Sequence, residues 1–212
     1  MDPLLYPYYI LMSISFGISI FCIRGSNKNI YIFLLLLASV TVEAVVRFFQ
    51  HQHINHFVLY HFFTPVEYTM LSLYCFKTIH FSSVKKIILS SIILFWIFSI
   101  YTFNNTSLLN FPSVSNSIES FFLIVLSTVT LLTIEPGKEK SIYSVPEFWI
   151  SLAVLFYFTG TFFFNGAYNY LKSHNLNHAR DTFTIINSLF NYLFYILLSY
   201  GLICYYRSRK YN

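Results

Sequence analysis

Two acidic residues stand in stretches where a charged side chain has few wet neighbours. Glu67 falls near the middle of Phe57–Phe76, a run with no other acid and no Lys or Arg, and Glu43 lies toward the C-terminal end of the apolar run Ile30–Phe49. An ionisable group in such a run costs several kcal/mol, so it marks a ligand site, a proton path or a buried pair. Glu43 and Arg47 are four residues apart and share a helix face. That spacing suits a partly buried ion pair, or an anchor for an anionic ligand. Tyr60, Thr64 and Glu67 share one face of the next helix with Tyr74. Pro65 withholds a hydrogen bond from the His61 carbonyl and predicts a kink beside Glu67. The pattern suits a pocket or water path, or a protonated Glu67 hydrogen-bonded to a Tyr or Thr and locking helices together.

Two further polar stripes occur later in the chain. Tyr157, Thr161, Asn165 and Tyr168 form one, with Gly160 beside it, and Thr184, Asn187, Ser188, Asn191 and Tyr195 form the other. Lipid offers no hydrogen-bond partners, so polar stripes turn inward. The candidate ligand-binding set is therefore Glu43, Arg47, Tyr60, Thr64, Glu67, Tyr157, Thr161, Asn165, Asn187 and Asn191, lining an outward-facing pocket between helices 2, 3, 6 and 7. The alternative is helix-to-helix hydrogen bonding with no cavity. Glu119 and Glu147 sit at the ends of apolar runs, where water is available. His56, His61, His174 and His178, with Asp181 and Glu119 nearby, have the side chains of a zinc site but loose spacing. Solvated or pH-responsive histidines are the competing reading.

The helices that carry these residues follow from composition. Of 212 residues, 56% are hydrophobic and only 10% charged, against roughly 25% charged in a soluble globule. Seven stretches approach the ~20 residues that a spanning helix needs: 4–23, 30–49, 57–76, 87–103, 118–134, 148–168 and 183–205. The first is too long for a signal-peptide core and is expected to remain as helix 1. A transmembrane barrel would alternate polar and apolar residues, and these runs do not. The expected fold is all-α, one seven-helix transmembrane bundle, with the lipid bilayer as its surroundings.

Orientation follows from the basic residues. With the N-terminus outside and the C-terminus cytoplasmic, the inner segments hold Arg24, Lys28, Lys77, Lys85, Lys86, Lys138, Lys140, Arg207, Arg209 and Lys210. The outer side holds Arg47, Lys172 and Arg180. No basic block or RNA-binding signature exists, which argues against nucleic acid. Cys22, Cys75 and Cys204 have no metal-type spacing and read as free thiols.

The motifs Tyr60-His61-x3-Pro65-x-Glu67-Tyr68, Phe148-Trp149-Ile150 and Tyr157-Phe158-x-Gly160-x-Phe162 resemble a group of small multi-helix membrane proteins of the Bacteroidetes, similar to the membrane sensor portions of histidine kinases. The resemblance implies a sensor or receptor-like module in a bacterial inner membrane, read out by a separate partner such as a histidine kinase. The group has no agreed activity to carry over, and a role other than an enzyme's is the first expectation. A small-solute transporter of three-plus-one-plus-three type is the second expectation. His53-Ile54-Asn55-His56 and Asn175-Leu176-Asn177-His178 hint at its repeat, yet paired interrupted helices are missing. An intramembrane metal-dependent hydrolase is the third. A rhodopsin-like pigment is excluded by a last helix without lysine. A homo-oligomer is compatible with this composition, and the ligand's identity is not legible in it.

Overall fold

The structure, a computed structural model, describes residues 5–23, 27–105, 108–135, 141–174 and 177–210; within these, the side chains of residues 5, 166–169, 171–173, 177–181, 183–184 and 209–210 fall outside the described set. The described residues form seven α-helices and no strand: α1 Leu5–Cys22, α2 Asn29–His51, α3 Phe57–Thr78, α4 Ser82–Asn105, α5 Ser113–Leu132, α6 Pro146–Ser173 and α7 Asn177–Lys210. Five of them, α2, α4, α5, α6 and α7, are long and apolar enough to cross a membrane.

The helices outrun the apolar stretches that betray them. α4 begins at Ser82 rather than near Ile87, and α5 at Ser113 rather than near Ile118. Apolarity measures what lipid tolerates, whereas the backbone ladder continues into polar flanks as long as each turn closes its own hydrogen bonds. α7 has 34 residues, about 51 Å at 1.5 Å per residue, well beyond a hydrocarbon core of about 30 Å.

Neighbouring helices define a ring. α1 packs on α2, α2 on α3, α3 on α5, α5 on α6, α6 on α7, and α7 returns to α1; α4 lies outside, against α3 and α5. The position of α4 explains its surface: Ile87, Ile93, Leu94, Ile97, Ile100 and Tyr101 are all exposed. Small and polar side chains join the ring, as expected where the hydrophobic effect does not drive helix association. On α1, Ser15 lies 2.7 Å from Ser199 Oγ on α7, and Cys22 Sγ donates to Leu202 O. Tyr68 Oη donates to Ser91 Oγ at 2.8 Å, fixing α4 to α3. α6 and α7, the most extensive pair, meet at two glycines: the Phe190 ring lies over Gly160, and Gly201 lies against Ile150. Cys22, Cys75 and Cys204 form no disulfide among the described residues.

The two ends of the ring differ. Toward the α1–α2 and α3–α4 connections the interior is filled. Leu35, Leu36, Leu71, Tyr74, Ile150, Leu198 and Leu202 are almost wholly buried there. Lys28 pairs at that end with Glu147, in the first turn of α6, where a carboxylate also suits the helix dipole. Toward the α2–α3, α4–α5 and α6–α7 connections the interior opens.

Two residues past the end of α2, at that opening, stands His53, whose φ of 55° is left-handed, and Ile54 N donates back to Phe49 O at 2.9 Å. Glycine usually fills this position after a helix, since a side chain costs roughly 1–2 kcal/mol there. His53→Gly is expected to raise stability in a detergent unfolding titration by about 0.5–1 kcal/mol, the relieved strain being partly offset by the freer unfolded chain.

Candidate functional site

The open end of the ring holds a cavity of about 380 Å³. Every ring helix contributes to its wall: Tyr8 from α1; Ser39, Glu43, Arg47 and Gln50 from α2; Tyr60, Thr64 and Glu67 from α3. Asn116 and Glu119 come from α5, Tyr157 and Asn165 from α6, and Asn187, Ser188, Asn191 and Tyr195 from α7. No residue of α4 lines it. The helix faces explain the convergence. Residues three and four apart stack along one side of a helix, and Tyr60, Thr64 and Glu67 follow that spacing, as do Asn187, Asn191 and Tyr195.

Nine of the ten sequence-predicted ligand-binding residues are therefore brought together in one space: Glu43, Arg47, Tyr60, Thr64, Glu67, Tyr157, Asn165, Asn187 and Asn191. Thr161 is the exception. It is 1% exposed, its hydroxyl donates to Tyr157 O at 2.9 Å, and it does not line the cavity. The side chains of Tyr168, His178, Asp181 and Thr184 lie outside the described residues.

The cavity is not confined to helices 2, 3, 6 and 7, as the sequence suggested; α1 and α5 complete it. Glu119 is the main addition. With α5 starting at Ser113, it is the seventh residue of the helix rather than an end residue, and it is 2% exposed. Its Oε1 has no hydrogen-bond partner. Glu119 and Glu67 border the same cavity and are close enough for their charges to interact. The Ser113, Ser115, Asn116 and Ser120 positions in the first half of α5 were the legible signal, because such a polar run inside an apolar helix points inward.

Glu43 and Arg47 form no direct ion pair among the described residues. Tyr9 stands between them: its hydroxyl donates to Glu43 Oε2 at 3.4 Å and accepts from Arg47 Nε. Tyr8 donates to Glu43 Oε1 at 3.2 Å. The Arg47 guanidinium also lies over the Tyr9 ring, 5.1 Å from its centroid, a favourable cation–π placement. Each helix turn brings the α2 pair to the same side, but the α1 tyrosines reach in between and take the polar atoms. Glu43 and Arg47 are thereby engaged by α1 on one wall of the cavity.

α3 runs unbroken through Pro65. Thr64 Oγ1 lies 2.8 Å from Tyr60 O, one turn back, and 2.7 Å from Asn116 Oδ1 on α5. Across the cavity, Asn165 Nδ2 donates to Ser120 Oγ at 3.4 Å. These contacts join α3 and α6 to α5 at the level of the two carboxyls.

Of the candidate histidines, those whose side chains are described, His56, His61 and His174, make separate contacts. No group of three His, Cys, Asp or Glu side chains suited to a metal ion occurs among the described residues. His61 Nε2 lies 3.2 Å from Asn110 O, His56 Nε2 lies 3.5 Å from Gln50 Nε2, and His174 bonds to Tyr170 O. Partial burial first, and the nearby Arg47 charge second, hold the His56 imidazole below its usual range. It is therefore neutral at pH 7 and adds no positive charge beside the cavity.

No protein-family model, no curated protein and no solved structure matches this chain.

Proposed function

We propose that the chain is a receptor-like sensor module of a bacterial inner membrane, crossing it seven times with the N-terminus outside and the C-terminus in the cytoplasm. A small polar solute enters the ring from outside. Its binding shifts the helices, and a separate signalling partner such as a histidine kinase reads the shift.

One observation carries this reading: the cavity is polar, built by six helices, and closed at the end where the basic residues gather. Lys28, Lys77, Lys85, Lys86 and Arg207 belong to the filled end, which the positive-inside rule places in the cytoplasm. The packed layer of Leu35, Leu36, Leu71, Tyr74, Leu198 and Leu202 bars passage beyond Glu67. A dead-end pocket suits binding, and a binding site shared by several helices suits a change in how they pack.

A specific feature favours transport as the second reading. α4 stands outside the ring, between the triplets α1–α3 and α5–α7, and the triplets meet through equivalent contacts, α3 on α5 and α7 on α1. Two parallel halves around a shared site is a transporter design.

Proteoliposomes exposed to a defined mixture of amines, amino acids, sugars and carboxylic acids separate the two. The receptor reading predicts saturable retention of one class with no accumulation in the lumen. Asn191→Leu, which removes an amide from the cavity wall, is expected to weaken that retention by about tenfold. Time-dependent luminal accumulation would establish the transporter instead, and retention of nothing would remove both.

A further inference from the structure

We propose that the cavity takes a small organic ammonium ion, with its cationic head seated between Glu67 and Glu119. The inference rests on reading the cavity as a solute site and names the chemistry of that solute.

Charge comes first. Among the described residues, three carboxylates and one guanidinium line the cavity. Glu43 and Arg47 are both engaged by the α1 tyrosines. Glu67 and Glu119 border the same space, and Arg47 is the only Lys, Arg or His among the described residues that line it. Glu119 is 2% exposed and its Oε1 accepts no hydrogen bond. A buried polar oxygen without a partner is costly, and a donor arriving in the cavity relieves that cost. An anionic solute would meet the same pair with repulsion.

The rest of the wall decides what kind of cation. Tyr60, Phe63, Tyr157, Phe158, Phe194 and Tyr195 line the same space, and aromatic rings around a carboxylate are the surroundings that alkylammonium groups favour. Tyr157 stands close enough to both Glu67 and Glu119 to interact with their charges, so one head group can touch ring and carboxyl together. A bare divalent ion is a poor match: it needs several oxygen or nitrogen ligands within about 2.0–2.6 Å, and no such group converges among the described residues. At about 380 Å³ the space is of molecular size.

The full chain in lipid nanodiscs is titrated calorimetrically with choline and phenethylamine, and with their uncharged counterparts 3,3-dimethylbutan-1-ol and 2-phenylethanol. At least one cation is expected to bind about tenfold or more tightly than its neutral counterpart. Glu119→Gln should erase that preference while leaving the neutral compound's affinity within about twofold, and Glu67→Gln should act in the same direction. Equal affinity for the charged and neutral members, no binding of either cation, or a cation affinity untouched by both variants would overturn the assignment. A sugar or zwitterion held in the wild-type cavity, lost in Asn191→Leu and indifferent to Glu119→Gln would preserve the solute site while removing the ammonium. Failure of every solute to be retained would remove the site itself.

Discussion

Gly201→Leu is expected to destabilise the bundle by about 3 kcal/mol or more and to leave little folded protein after extraction, read as loss of the monodisperse peak in detergent chromatography. The reason is local. A Cβ at position 201 would stand 2.8 Å from Ile150 Cγ1, 3.2 Å from Pro146 O and 3.3 Å from Ile150 N. Alanine asks the Ile150 side chain to move, whereas leucine asks the first turn of α6 to move. α6 and α7 carry Tyr157, Asn165, Asn187 and Asn191 into the cavity, so the helix pair cannot separate without dispersing the site. Gly17 provides the control. A Cβ there meets nothing within 4 Å, and Gly17→Leu is expected to be neutral or slightly stabilising, by up to about 1 kcal/mol of helix propensity. Equal damage from both substitutions would show that the loss comes from adding bulk anywhere in a helix, not from the α6–α7 contact.

Glu119→Met is expected to do the opposite, raising the stability of the ligand-free protein by about 1–3 kcal/mol in an unfolding titration with SDS. Methionine keeps the side-chain length and removes a carboxyl whose Oε1 has no partner and whose neighbour across the cavity is another carboxyl. Binding groups held unsatisfied in the empty protein are a common reason for natural sequences to sit below their stability optimum. The variant should accordingly lose solute binding while gaining stability. A drop in stability would mean that Glu119 holds the bundle together rather than waiting for a ligand.

Much of this site was readable from side-chain spacing, and the part that was not has a physical cause. Glu67, Tyr60 and Thr64 lie three and four apart, as do Asn187 and Asn191, and a helix in lipid must turn such stripes toward one another. Membership of the cavity therefore followed from the sequence for α2, α3, α6 and α7. Thr161 shows the limit of that logic: it shares the stripe, but its hydroxyl is satisfied by its own helix at Tyr157 O, as threonines in apolar helices often are. Glu119 was misplaced because the apolar run of α5 starts five residues later than the helix does. Counting back from Ile118 puts Glu119 at a wet end, and counting from Ser113 puts it two turns inside. The i, i+4 spacing of Glu43 and Arg47 correctly placed them on one face but could not reveal Tyr9, which comes from 34 and 38 positions away to separate them. The peripheral position of α4 was equally hidden, because its composition resembles that of the ring helices and only its neighbours distinguish it.

Native mass spectrometry of the protein carried from its membrane in nanodiscs decides whether the ring cavity seats a small solute. The wild-type chain should retain one organic adduct per copy, released at modest collision energy, and Asn191→Leu should appear without it. A chain that carries only lipid, or an adduct that survives Asn191→Leu unchanged, would contradict the account.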